Sequence, residues 1–344
     1  MTDNDLLLSI PDLSFGSGVV GVCDICGKRQ AIVILEKERF KLCVQDFLNK
    51  TWAKSGATPG APLPPYRSER VMFPTSETPS GKAPAVVLRP TKVVRHPVVL
   101  ITPDVFGLTT ALLDGAIRFA REGFEVLLPD LQKSELLSIS HHLALRRGPM
   151  TRRGVDVTHP RVRELARLYA DALAYLRTRE MVDPEKSAVF GASYGSALAI
   201  AVAAQDPALS AVALAYPVPI RPPEFLAMLS APTLVVGALK DRLSWESRLQ
   251  FMDVAEPKGV RVEYAAVAGV KANFLSRDLK VYRMKEAEAA WRRIVEFLRS
   301  RLLPPPPKPL TPPTVAGPAK ASPPPLAPTS ARPTTPTPAT AGAA

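Results

Sequence analysis

Between residues 85 and 302 the chain keeps returning to one alternation: a short, β-branched apolar run bounded by turn residues, then a longer stretch with apolar positions three and four apart. The short runs fall at 85–88, 97–102, 124–128, 188–191, 211–216, 233–237 and 260–267, and their apolar character, interrupted by charge only at Glu125, Arg261 and Glu263, predicts buried strands. The longer stretches at 111–121, 162–179, 194–204, 245–254 and 284–302 predict helices. In the last of them Trp291, Ile294 and Leu298 share one face while Arg292, Arg293 and Arg299 point elsewhere. Strand and helix in alternation over this length imply an α/β fold: a mostly parallel central sheet with helices on both sides. Ligands of such sheets bind beyond the carboxyl ends of the strands.

Composition changes at both ends of this region. All three cysteines lie before residue 55, and from Pro304 the chain turns to Pro, Ala and Thr. Fifteen of the final 41 residues are proline, and Lys308, Lys320 and Arg332 are the only charges there, so an extended tail that buries no core is expected. The expected organisation is an N-terminal arm (1–20), a small metal-binding module (21–55), a linker (56–69), the α/β domain (70–303) and a disordered tail (304–344).

The 344 residues carry a formal charge of +12, which raises the question of nucleic acid. The basic residues are spread along the chain, with a local excess at Arg146, Arg147, Arg152 and Arg153, and aromatics amount to 6%; no stacking platform is apparent, and a dedicated nucleic-acid role is not expected. The longest apolar runs fall short of the roughly 20 residues needed to cross a bilayer. The first residues include Asp3 and Asp5 where a secretory leader would be basic, so a cytoplasmic location without membrane association is expected.

Cys23, Cys26, Cys43 and Asp46 are spaced C-x2-C-x16-C-x2-D, with Gly27 after the second cysteine and a hairpin expected over 31–42. Thiolates paired at this spacing, with a carboxylate as fourth ligand, suit a tetrahedral structural zinc in a ribbon or treble-clef module. Reduced cysteines without metal are the alternative.

The chemistry-bearing signal is Gly191, Ala192, Ser193, Tyr194, Gly195, in which an apolar strand feeds G-x-S-x-G and then an alanine-rich helix. In that context the pattern reads as a nucleophile elbow, with Ser193 held on a strained turn and the Tyr194 amide at the helix start placed to donate to an oxyanion. A glycine-bracketed turn with an idle serine is the bland reading. A serine needs a base and a carboxylate that orients it. Asp241, just past the run 233–237, stands where chain order puts the acid, though a loop aspartate also serves as a helix cap.

These segments resemble the dienelactone hydrolase family of α/β hydrolases. The resemblance rests on PVVLITPDVFGL (97–108), FEVLLPDL (124–131), the elbow with serine where founding members have cysteine, the segment 231–241 and the closing helix at 282–298, and it spans about residues 70–302. It implies an α/β-hydrolase sandwich, an ester or lactone as substrate and no catalytic cofactor. It further implies Asp104 as an acidic residue beside the nucleophile, and Val105 with Tyr194 as oxyanion amides. The family histidine before the last helix is absent: Gly269, Val270, Lys271, Ala272, Asn273, Phe274 places Ala272 in that slot, and no histidine follows His159. Lys271, His141 and His142 are the substitutes to weigh as base, while His96 is expected at the opposite end of the sheet. Two functions therefore stand: a hydrolase working with an unassigned or weakened base, or a catalytically silent fold that binds a ligand, or a protein partner through its N-terminal module or proline-rich tail.

Overall fold

Strands that are apolar on both sides can only be satisfied by packing between two layers of helices, and six of the seven expected runs are buried along their whole length, while 260–267 is half-exposed. The computed structural model describes residues 66–92, 94–104, 110–129, 154–277 and 279–303, with the backbone of short strands at 13–14, 33–35, 40–42 and 150–151. The first three of those strands, β1 (Leu13–Ser14), β2 (Val33–Leu35) and β3 (Phe40–Leu42), pair antiparallel in a small sheet of their own, β2 and β3 lying within the expected hairpin. The zinc set Cys23, Cys26, Cys43 and Asp46, the amide of Val105, the pair His141 and His142, and the tail from 304 lie outside the described residues.

The central sheet has eight strands: β4 (Tyr66–Pro74), β5 (Lys82–Pro90), β6 (His96–Thr102), β7 (Glu125–Pro129), β10 (Val182–Ala192), β11 (Ala211–Ala215), β13 (Thr233–Ala238) and β14 (Val262–Val267), in the order β14-β13-β11-β10-β6-β7-β5-β4. Two-residue to three-residue strands β8 (Met150–Thr151), β9 (Gly154–Asp156) and β12 (Ile220–Arg221) form a separate patch. The six strands from β14 to β7 run parallel, and β5 and β4 add an antiparallel edge. The sheet therefore begins at Tyr66, inside the segment expected as linker. β4 escapes a hydrophobic reading because it is an edge strand with Arg67, Glu69 and Arg70 in its register with β5.

Among the described residues five α-helices cover the sheet: α1 (Thr110–Arg121), α2 (Pro160–Arg177), α3 (Tyr194–Ala203), α4 (Arg242–Gln250) and α5 (Met284–Leu302). α1 and α5 bury one face, where the rings of Phe119, Phe190 and Trp291 meet at centroid distances of 5.5–6.1 Å. Gly115 is required at this junction, since a Cβ there would stand 2.7 Å from the Trp291 ring. α2 and α3 bury the other face. Each fully buried Leu, Val or Phe contributes about 1.5–3 kcal/mol, so this two-sided burial is the main force holding the strand ends in place.

α4 is amphipathic the wrong way round. Ser244 and Ser247 face inward and Trp245 and Leu249 face solvent, because Ser244 Oγ accepts the Ala238 amide at 3.0 Å and its own amide donates to Asp241 Oδ1 at 2.8 Å. Those two bonds fix the start of α4 at 242, three residues earlier than its apolar pattern suggests.

Candidate active site

A serine at the end of a strand becomes exposed only if the chain turns sharply into the next helix, and the residues from 191 to 195 provide that turn. A Cβ on Gly191 would lie 2.4 Å from the Gly195 carbonyl oxygen, and one on Gly195 would lie 2.6 Å from the Thr102 carbonyl oxygen. Strand β10, helix α3 and the end of β6 are thus in backbone contact. The Thr102 hydroxyl sits between them, 2.7 Å from the Gly195 carbonyl and 3.2 Å from that of Phe190. Thr102 was not singled out by sequence reasoning; its signal is a hydroxyl closing an otherwise apolar strand.

Ser193 itself is held at φ 53°, ψ −123°, a region that non-glycine residues avoid at a cost of about 1–3 kcal/mol. Its amide donates to the Ala215 carbonyl at 3.0 Å and its carbonyl receives Ser196, which locks the strain in place. The side chain makes no cap bond to α3, so the hydroxyl is not consumed by the helix it precedes. Tyr194 is the first residue of that helix, and its amide is among those that have no intrahelical acceptor. This places the one described oxyanion candidate beside the serine, at the positive end of α3.

The register of the sheet arranges the other expected residues around this point. Gly191 pairs with Thr102, so Asp104 leaves β6 on the strand next to Ser193. Asp104 is buried, and burial together with its negative charge pushes the neighbouring Tyr194 hydroxyl well above the ordinary tyrosine range. On the other side come β11 and then β13. Tyr216 follows β11 at φ 37°, its amide bonded to the Val236 carbonyl, and its ring meets Phe274 at 5.7 Å.

Asp241 follows β13 and is half-buried. It does cap α4, through Oδ1, and the same loop is tied to the next one by Leu239 N to Val267 O at 3.1 Å and Lys240 N to Val270 O at 2.9 Å. Those bonds tie the loop that leads into Ala272 to the loop that leads into Asp241. Asp241 stands two strands from Ser193, about 10 Å at the usual strand spacing, so the carboxylate reaches the serine only through a bridging side chain. Ala272, half-buried against the α1/α5 core, has no group to bridge with.

The remaining base candidates separate clearly. Lys271 is exposed. His96 is the first residue of β6, at the amino end of the sheet as expected, and burial pushes its imidazole below the usual range. His159 caps α2, its Nδ1 accepting the Arg161 amide at 3.2 Å. Among the described residues no group of three or more His, Cys, Asp or Glu side chains could hold a metal ion.

The loop that carries Ala272 is anchored from behind. Arg277 Nη2 donates to Asp114 Oδ1 of α1 at 2.5 Å, and Arg118 on the same helix pairs with Glu288 of α5. Burial pushes the Asp114 carboxyl upward and the Arg277 charge opposes it. No sequence pattern signals this pair, whose partners stand 163 residues apart.

Comparisons with known proteins agree with this fold. The sequence profile of the dienelactone hydrolase family matches residues 83–302. A dienelactone hydrolase-like promiscuous phosphotriesterase from metagenomic libraries superposes with a TM-score of 0.57 at 18% identity, covering 69% of this chain and 98% of that one. Carboxyl esterase 2 from the mycorrhizal fungus Tuber melanosporum superposes with a TM-score of 0.53 at 16% identity, covering 75% and 98%. A thermostable carboxylesterase cloned from a metagenomic library gives 0.50 at 20% identity, covering 76% and 96%. At these identities the likeness speaks for the fold. A search among curated proteins found no match.

Proposed function

The chain belongs to the dienelactone hydrolase family, and from that premise we propose that it is a serine-dependent hydrolase of an ester or lactone, with Ser193 as the attacking group. The observation that carries the reading is the serine itself: strained, uncommitted to capping and seated at the start of α3 between Gly191 and Gly195. In the reaction the Ser193 oxygen adds to the acyl carbon, the oxyanion takes the Tyr194 and Val105 amides, and the alcohol leaves. Water then releases the acyl group. Asp241 keeps the place of the orienting acid and Asp104 that of the carboxylate beside the nucleophile.

The proton of Ser193 is the weak link. Lys271 faces solvent and Ala272 is inert, so the base is either His141 or His142, which lie outside the described residues, or water. With a group as weak as water the oxyanion donors and binding alone carry the rate, a residual on the order of 10³-fold over the uncatalysed reaction. The second reading, a silent fold that binds an acyl or carboxylate ligand, draws on the same Ala272.

Hydrolysis of p-nitrophenyl acetate separates the two. Slow turnover that disappears in Ser193→Ala supports the hydrolase; turnover unchanged by that substitution, or none above background, leaves the binding protein.

For the N-terminal module we propose a structural zinc on Cys23, Cys26, Cys43 and Asp46, with no part in catalysis. Elemental analysis of the purified protein is expected to find one zinc per chain, released by Cys26→Ala; a metal-free protein with intact fold contradicts it.

A further inference from the structure

The two loops that leave the carboxyl ends of β13 and β14 present an unusual surface. They are joined by the bonds from Leu239 and Lys240 to Val267 and Val270, and the second runs directly into the start of α5. Lys240, Lys271, Lys280, Arg283 and Lys285 are all exposed on them, and among the described residues none of these five carries an ion pair. Against them the same segments set Asp241, which is engaged in the α4 cap, Glu246, which is paired with Arg242, and Glu286 in the first turn of α5. Interleaved with the cations are large apolar side chains in the open: Leu239 at 41% exposure, Trp245 at 43%, Leu279 at 40% and Met284 at 50%.

Scattered single apolar residues on a surface need no explanation, but four of them within one cationic rim do. Unpaired lysines alone would suit any polyanion. Leucine and methionine gain nothing from a phosphodiester groove, whereas they gain about tenfold or more each in partition when buried at the acyl boundary. Tryptophan is the side chain most at home between headgroup and acyl chain.

We propose that this rim docks on an anionic lipid surface, with Lys240, Lys271, Lys280, Arg283 and Lys285 facing the headgroups and Leu279 and Met284 inserted beneath them. The inference goes beyond the hydrolase reading and does not depend on it, but both concern the same face: the carboxyl end of the sheet, where Ser193 opens. Docked in this way, the site faces the lipid layer, and esters dissolved there reach it without crossing water. Among the described residues no helix is long and apolar enough to cross a membrane.

The test is co-sedimentation of the full-length protein with vesicles of phosphatidylcholine alone or mixed with phosphatidylglycerol. Binding is expected on the mixed vesicles only, and to weaken as salt is raised. Each cation near the surface accounts for about a fivefold factor, so Lys280→Glu/Arg283→Glu/Lys285→Glu is expected to lower the partition by about 10²-fold. Arg283 and Lys285 open α5, where glutamate suits the helix dipole, and Lys280 is exposed in the loop before it, so the variant is expected to fold. Leu279→Asp/Met284→Asp is expected to lower it at least about tenfold with the charge rim intact. Equal binding to neutral vesicles, no binding at all, or binding insensitive to both variants overturns the proposal. So does capture by DNA or an acidic polypeptide at equal strength with no effect of the Leu279 and Met284 changes, which would make the rim a general polyanion site.

Discussion

Ala272→His is expected to raise ester turnover by at least about 10²-fold. The loop holding residue 272 is fixed on one side by its bonds to the Asp241 loop and on the other by Arg277 against Asp114, so a new imidazole enters a place already built for it. Asp241 uses Oδ1 for the α4 cap, which leaves its second oxygen to orient the ring. A positioned general base contributes about 10²–10⁴-fold, and the lower end is appropriate to a site not selected around it. The gain carries its own signature: activity should climb with pH through a value near 6.5 as the imidazole loses its proton, a limb that the parent protein lacks at this position. Kinetics of the folded variant between pH 5 and 9 check both. A folded variant with unchanged rate and a flat profile would mean that Asp241 and residue 272 do not converge on Ser193.

The second large effect is on stability. Gly195→Val is expected to cost more than about 4 kcal/mol, enough to unfold a typical domain, because its Cβ would meet the Thr102 and Pro103 carbonyl oxygens at 2.6 and 2.8 Å and neither backbone can yield without parting β6 from β10. Gly237→Ala is the control. There the nearest atom to a Cβ is Ser244 Oγ at 3.8 Å, an ordinary contact, so the cost stays within about 1 kcal/mol. Urea unfolding of both variants tests the pair, and a soluble, fully stable Gly195→Val would contradict the close backbone approach that gives the elbow its shape.

The sheet was legible because burial on both faces leaves a plain mark: six of the seven runs are buried along their whole length, and the seventh, the edge strand β14 with Arg261 and Glu263, kept enough apolar and aromatic residues to be read as a strand. β4 was not, since an edge strand facing water on one side carries charges that blur it into a linker. The start of α4 was misjudged for a related reason: its inward positions are serines held by hydrogen bonds, which hydrophobic periodicity cannot register. Ser193 and its glycines could be read because the elbow compresses backbone contacts into five residues. The buried supports of the site, Thr102 beneath Gly195 and Arg277 against Asp114, link residues far apart in the chain and leave no local trace.

Ala272 was also visible, but only as a departure. Its meaning depends on where the Asp241 loop lies, and the bonds from Leu239 and Lys240 supply that. An acid retained beside a missing base is what a family member with slowed chemistry, or one turned to binding, would present.

The most direct measurement is to treat the full-length protein with a fluorophosphonate probe and locate the adduct by mass spectrometry. The account predicts a single phosphonylated residue, Ser193, with labelling absent in Ser193→Ala and faster in Ala272→His. An unmodified Ser193 under conditions that label other serines, in a protein shown to be folded, would contradict it.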